Sequence, residues 1–172
     1  LSLMVLILMG VSGSGKTTVG MRLADVLNWD FVDGDDFHPA ANVEKMKRGV
    51  PLTDEDRWPW LQAIRDFIHE RLSNDAPAIV ACSALKAAYR DVLLEGNPGA
   101  QIVYLKGSYD LIRRRMETRE NHFFDPHLLD SQFEALEEPG SEAALTIDVD
   151  ASPTAIVRTI RRELPALRST SE

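Results

Sequence analysis

Short apolar runs recur along the chain at Leu3–Met9, Phe31-Val32, Ala78–Cys82, Ile102–Leu105 and Leu145–Val149. Their apolarity is continuous rather than alternating, which marks strands covered on both faces, as in a parallel sheet. Longer stretches with helical spacing separate them. The predicted fold class is α/β, a parallel sheet of five strands with helices between them and right-handed crossovers. Thr53 precedes an acidic first turn (Asp54, Glu55, Asp56), and Trp60, Ile64, Phe67, Ile68 and Leu72 continue it as a helix. Ser152-Pro153 supplies the cap and first-turn proline of a last helix carrying Ile156, Val157, Ile160 and Leu164. From about Asn121 to Pro139 neither period holds, so this segment reads as an insertion and a candidate lid.

Composition narrows the class. A chain of 172 residues suits one domain, and 44% hydrophobic residues supply one core. A net charge of −8 argues against a broad nucleic-acid or anionic-membrane face. Cys82 is alone, so no internal disulfide forms, in keeping with a reducing compartment. The opening apolar run falls short of the roughly 20 residues that span a bilayer. It also lacks the cationic start and cleavage site of a signal peptide, so a soluble cytoplasmic protein is expected.

"GVSGSGKT", Gly10 to Thr17, brings in chemistry. It leaves a buried strand and opens a helix, the context a phosphate loop requires. Several backbone N–H groups must converge on one phosphate, so side chains there must be small or absent. Gly10, Val11, Ser12, Gly13, Ser14, Gly15, Lys16, Thr17 and Thr18 form the expected nucleotide site. Lys16 reaches the terminal phosphates, and the Thr17 hydroxyl is a candidate Mg²⁺ ligand.

The third apolar run ends in Cys82-Ser83 without an acid, whereas the second leads into Asp33-Gly34-Asp35-Asp36. On an extended strand end Asp33 and Asp35 share a face, with Asp36 opposite. One of the pair would sit near the metal, the other beside an attacking hydroxyl. Both belong beyond the carboxyl ends of the strands, where ligands of open α/β sheets bind.

For the acceptor, Lys86 and Arg90 lie four apart on one predicted helix face, and Arg57 sits at the start of another. His38 and His122 flank positions expected near the site. Two or three such cations at one pocket edge suit an anionic acceptor. Arg115 and Arg119 are likewise spaced to share a helix face and are candidates to close over the phosphates. The competing reading pairs this arginine run with Glu117 and Glu120 on a wet helix. Trp58, Trp60, Phe123, Phe124 and Phe133 read as core and receive no role.

Several segments, in order from Met9 to about Pro139, resemble the gluconate kinase family, small phosphate-loop kinases related to shikimate and nucleoside monophosphate kinases. They are "MGVSGSGKTTVG", "DGDDFHPAANVEKMKRGVPLTDEDRWPWL", "CSALKAAYRDVLLEG", "YLKGSYDLIRRRMETRENHFF" and "LLDSQFEALEEP". The resemblance implies strand order 2-3-1-4-5, a mobile lid at about 113–139, and ATP-dependent phosphorylation of D-gluconate at its 6-hydroxyl. It implies ATP and Mg²⁺ held by Gly10–Thr17 with Thr17 and Asp33 at the metal. Lys16, Asp35 and Arg119 would be catalytic, and Arg115 would join the nucleotide. Asp35, His38, Arg57, Lys86, Arg90, His122 and Gln132 would meet the acceptor or lid, and the chain would pair as a homodimer. Ala87 departs from the family, which often carries a basic residue there. Rival readings are a kinase for shikimate or another small metabolite, and a non-catalytic nucleotide switch. Neither N-K-x-D nor, after the third strand, D-x-x-G occurs to favour the switch.

Overall fold

The computed structural model describes residues 3–119 and 125–167. Five parallel strands, β1 (Val5–Met9), β2 (Asp30–Asp33), β3 (Ala78–Ala81), β4 (Ala100–Lys106) and β5 (Ala144–Asp148), lie in the order β2-β3-β1-β4-β5. This is the order and class expected. β1 is central and wholly buried, with Val5 beside Ala78 on one flank and Ala100 on the other. Because successive side chains of a strand point to opposite faces, the sheet feeds two cores. Leu6, Leu8, Ile79, Val103 and Leu105 face one core, packed by α1 (Lys16–Leu27), α5 (Tyr109–Glu117), α6 (Pro126–Ala135) and α7 (Pro153–Glu163). Val5, Ile7, Met9, Val80, Ile102 and Tyr104 face the other, packed by α3 (Asp54–Ser73) and α4 (Ala87–Leu94). The result is three layers.

Two helices were not legible in the periodicity. α2 (Ala40–Lys47) buries Asn42 alone, and α6 buries Leu129 alone, so neither has an apolar stripe to read. Within the expected insertion at 121–139, residues 126–135 form a regular helix, started by the Asp125 side chain accepting from the His127 N–H and by Pro126 in its first turn. The first residues of the segment expected as a lid from about 113 belong to α5. Met116 and Ile112 of α5 are buried against the phosphate loop, so the framework runs to Glu117.

The start of α3 is set by a capping box. The Asp56 N–H donates to Thr53 Oγ1 at 3.2 Å, and the Thr53 N–H donates back to Asp56 Oδ2 at 2.9 Å. Lys45 reaches the same Asp56 oxygen at 2.7 Å, which ties α2 to α3. No helix among the described residues is long and apolar enough to cross a membrane.

Thr53→Ala is expected to lower unfolding free energy by about 1 kcal/mol, read by urea denaturation at neutral pH. The Lys45 bond, then the Thr53 N–H, hold the Asp56 carboxyl at about 2 against an ordinary 3.8. A depressed carboxyl stabilises the fold above its unfolded value and loses that contribution as pH falls through its folded one. The stability gap between wild type and Asp56→Asn should therefore close as pH falls from 3.8 towards about 2. A gap that persists in acid would contradict the assignment.

Candidate active site

The turn between β1 and α1 has the geometry that a phosphate loop needs. Gly15 caps α1 in the left-handed region, φ 99° and ψ 18°, where a side chain would be strained. Lys16 Nζ folds back onto the loop, donating to the Gly10 and Val11 carbonyls at 2.8 and 3.0 Å. Ser14 is buried, and its Oγ has no partner among the described residues. Thr17 and Thr18 are exposed at the helix start. Burial lowers the Lys16 ammonium, while Cys82, Asp35 and Asp33 each act to raise it, so loop and acids face one space.

The acids are arranged differently from the extended strand end expected. β2 stops at Asp33, and Gly34–Phe37 form a 3-10 turn. Asp33 caps that turn, its Oδ1 accepting from the Asp35 N–H at 2.9 Å. The two carboxylates are brought close by the cap, not by strand alternation. Gly34 allows the turn to press on β3: a Cβ there would stand 2.6 Å from the Ala81 carbonyl oxygen. Lost hydration in the cleft raises the Asp35 carboxyl, with Asp33 adding to it and His38 and Lys16 opposing. At the end of β3, burial pushes the Cys82 thiol up to about 12, so it stays neutral.

Trp60, read from sequence as core, has a directing role. Its Nε1 donates to the Gly34 carbonyl at 2.8 Å, holding the acid turn from α3, and its ring stacks on His38 at 4.2 Å and 14°. His38 Nε2 lies 3.9 Å from Asp35 Oδ1. The spacing "WPW" was the available signal, but aromatic spacing does not reveal a hydrogen bond to a loop.

Arg57 and Lys86 do converge. Arg57 Nη1 and Lys86 Nζ stand 3.9 and 3.3 Å from the same Asp54 oxygen, which also accepts from the Tyr89 hydroxyl. Both cations lie over the Tyr89 ring, at 5.7 and 5.6 Å. Asp54 and Tyr89 were missed because acidic caps and aromatics are common on any helix.

Arg90 is not beside Lys86 on a helix face. Lys86 is the non-helical residue before α4, and Arg90 is buried, donating to the Ala84 and Glu137 carbonyls at 2.8 Å each. It fastens a strained backbone: Ala84 has φ 46°. Nor do Arg115 and Arg119 share a helix face, since α5 ends at Glu117 and Thr118 caps it. Arg115 donates to the Val149 carbonyl at 2.6 Å, and Arg119 is exposed beyond the helix. Arg113 pairs with Glu117 at 2.8 Å, as the wet-helix reading expects for this part of the run. Gln132 of α6 meets the phosphate loop: its Oε1 accepts from the Ser12 N–H at 2.6 Å, and its Nε2 donates to Ser12 Oγ at 2.9 Å. His122, with Glu120, Phe123 and Phe124, lies outside the described residues.

Comparison with known proteins agrees with this fold. A family model described as an AAA domain matches residues 5–139. The thermoresistant gluconokinase of Escherichia coli K12 is 47% identical over 148 residues, 85% of each chain. A gluconokinase structure from Sinorhizobium meliloti 1021 superposes with a TM-score of 0.80 at 43% identity, covering 96% of this chain and 90% of the other. An unliganded sugar kinase from Janibacter sp. HTCC2649 gives 0.87 at 39% identity, covering 96% and 98%. With its loop, acid turn and paired cations placed as described, the chain belongs to the gluconokinase family of phosphate-loop kinases.

Proposed function

We propose that the chain transfers the γ-phosphoryl group of ATP to the 6-hydroxyl of D-gluconate, giving 6-phospho-D-gluconate and ADP. One observation carries the reading: the phosphate loop after β1 and the acid turn after β2 flank β3 at the same edge of the sheet, with Lys16 under the influence of both acids. A donor gripped on one side then meets an acceptor presented on the other. Two cations against one carboxylate, Arg57 and Lys86 with Asp54, leave an excess of positive charge suited to a monocarboxylate. His38 and Asp35 would meet hydroxyls further along the chain of such an acceptor.

In this reading the loop's N–H groups hold the phosphates, and Lys16 leaves the Gly10 and Val11 carbonyls to reach the terminal ones. The unpartnered Ser14 hydroxyl and the oxygen donors of exposed Thr17 and half-buried Asp33 fit a nucleotide with Mg²⁺. When bound, the ion supplies charge neutralisation across the phosphate oxygens. Asp35 orients the acceptor hydroxyl and takes its proton as the new O–P bond forms and the bond to the β-phosphate oxygen breaks. Gln132, already bonded to Ser12 of the loop, would close the nucleotide side and limit water, joined by Arg119 and by Arg115 once it leaves the Val149 carbonyl. A homodimer and a cytoplasmic setting complete the reading, resting on the family resemblance and the buried, unpaired Cys82.

Coupled ADP release over a panel of acceptors tests the assignment, with gluconate expected to be the preferred substrate over shikimate and nucleosides. Failure of gluconate to release ADP would refute it. Asp35→Ala should lower kcat about 10²-fold or more while leaving KM for ATP nearly unchanged. Lys86→Ala should raise KM for gluconate by about ten-fold, for loss of one charge-assisted bond, with a smaller change in kcat.

A further inference from the structure

Asn42 is polar, 3% exposed, and the one buried residue of α2. Its Nδ2 lies 2.8 Å from the Asp56 carbonyl oxygen and 3.2 Å from Nδ1 of His38. A carbonyl can only accept, so the Asp56 contact fixes which end of the amide is the nitrogen. That nitrogen carries two hydrogens and accepts nothing. Its second N–H therefore points at His38 Nδ1, which must be bare. The imidazole proton is then on Nε2, the atom 3.9 Å from the Asp35 carboxylate. Stacking on Trp60 keeps the ring in this plane.

We propose that Asn42 is a positioning residue for phosphoryl transfer: it locks His38 as the neutral Nε2–H tautomer, so that a fixed, uncharged donor faces Asp35 and the acceptor hydroxyl. The proposal rests on the reading of Asp35 as the acid beside the acceptor. The chemistry explains the choice of a neutral group. An imidazolium there would form an ion pair with Asp35 and weaken it as a proton acceptor, whereas a neutral N–H orients the carboxylate and leaves it basic. Protonating Nδ1 would set two donors against each other across 3.2 Å. Burial lowers the His38 value first, Arg57 from α3 lowers it further, and Asp35 from the 3-10 turn opposes; α2 presents the uncharged amide.

Nitrogen-15 NMR of the imidazole rings in the full chain tests the lock, with His38→Gln identifying the His38 signals. A pyridine-like Nδ1 and a pyrrole-like Nε2 at neutral pH are expected, with protonation of the ring only below the ordinary 6.5. An Nδ1–H tautomer, or titration of His38 at the ordinary 6.5, would overturn the proposal. Asn42→Asp gives Nδ1 an acceptor in place of a donor. His38 should then carry the proton on Nδ1 and become a cation at neutral pH, losing it as pH rises through the elevated value. In that variant kcat should fall about ten-fold, part of what an acid–base group supplies, with KM for ATP unchanged and a new ionisation in the kcat profile. A reversed tautomer with unaltered kcat and pH profile would also overturn it. Should Asn42→Asp not fold, the wild-type tautomer still decides. The NMR readout involves no acceptor, so failure of the gluconate assignment would appear in the ADP-release assay instead.

Discussion

A phosphate can be gripped by backbone N–H groups only where the chain turns with almost no side chains in the way, and the turn must not move. Here that turn hangs from β1, the central strand, buried on both faces and paired on both edges. Met116 of α5 backs it at Gly13, Gln132 of α6 holds Ser12, and Lys16 is folded onto its carbonyls. Every other part of the site takes its position relative to this loop.

The acceptor side is built from a different helix. The capping box fixes where α3 begins, and so where Arg57 and Trp60 fall. Arg57 joins Lys86 around Asp54 and Tyr89, while Trp60 reaches the Gly34 carbonyl and supports both the acid turn and His38. One helix thus sets the spacing between the cations that would take a carboxylate and the acid that would take a proton. α4 contributes Lys86 at its start, with Arg90 and Glu137 fastening the backbone on either side. Positioning is the main thing an enzyme supplies to phosphoryl transfer, so this indirect scaffolding bears directly on rate.

Much of this was readable from residues because it depends on period and local chemistry. Strands buried on both faces announce themselves as unbroken apolar runs, and the phosphate loop carries its own steric requirement. Asp33 and Asp35 lie together, as expected, but in a different local shape, since Asp33 capping a 3-10 turn leaves no mark in alternation. Helical spacing misled at Lys86 with Arg90 and at Arg115 with Arg119, because each pair straddles a helix end that only capping geometry defines. Asn42, Asp54, Tyr89 and Trp60 were invisible for a further reason: their roles are contacts between elements distant in sequence, and no single-chain pattern encodes those.

The most direct measurement is a crystal structure of the protein with a non-hydrolysable ATP analogue, Mg²⁺ and D-gluconate bound together. The account predicts the γ-phosphate on the N–H groups of the loop, the sugar carboxylate between Arg57 and Lys86, and the 6-hydroxyl within hydrogen-bond reach of Asp35 and in line with the phosphorus. Gluconate seated away from Asp35, or a nucleotide whose phosphates miss the turn after β1, would contradict it.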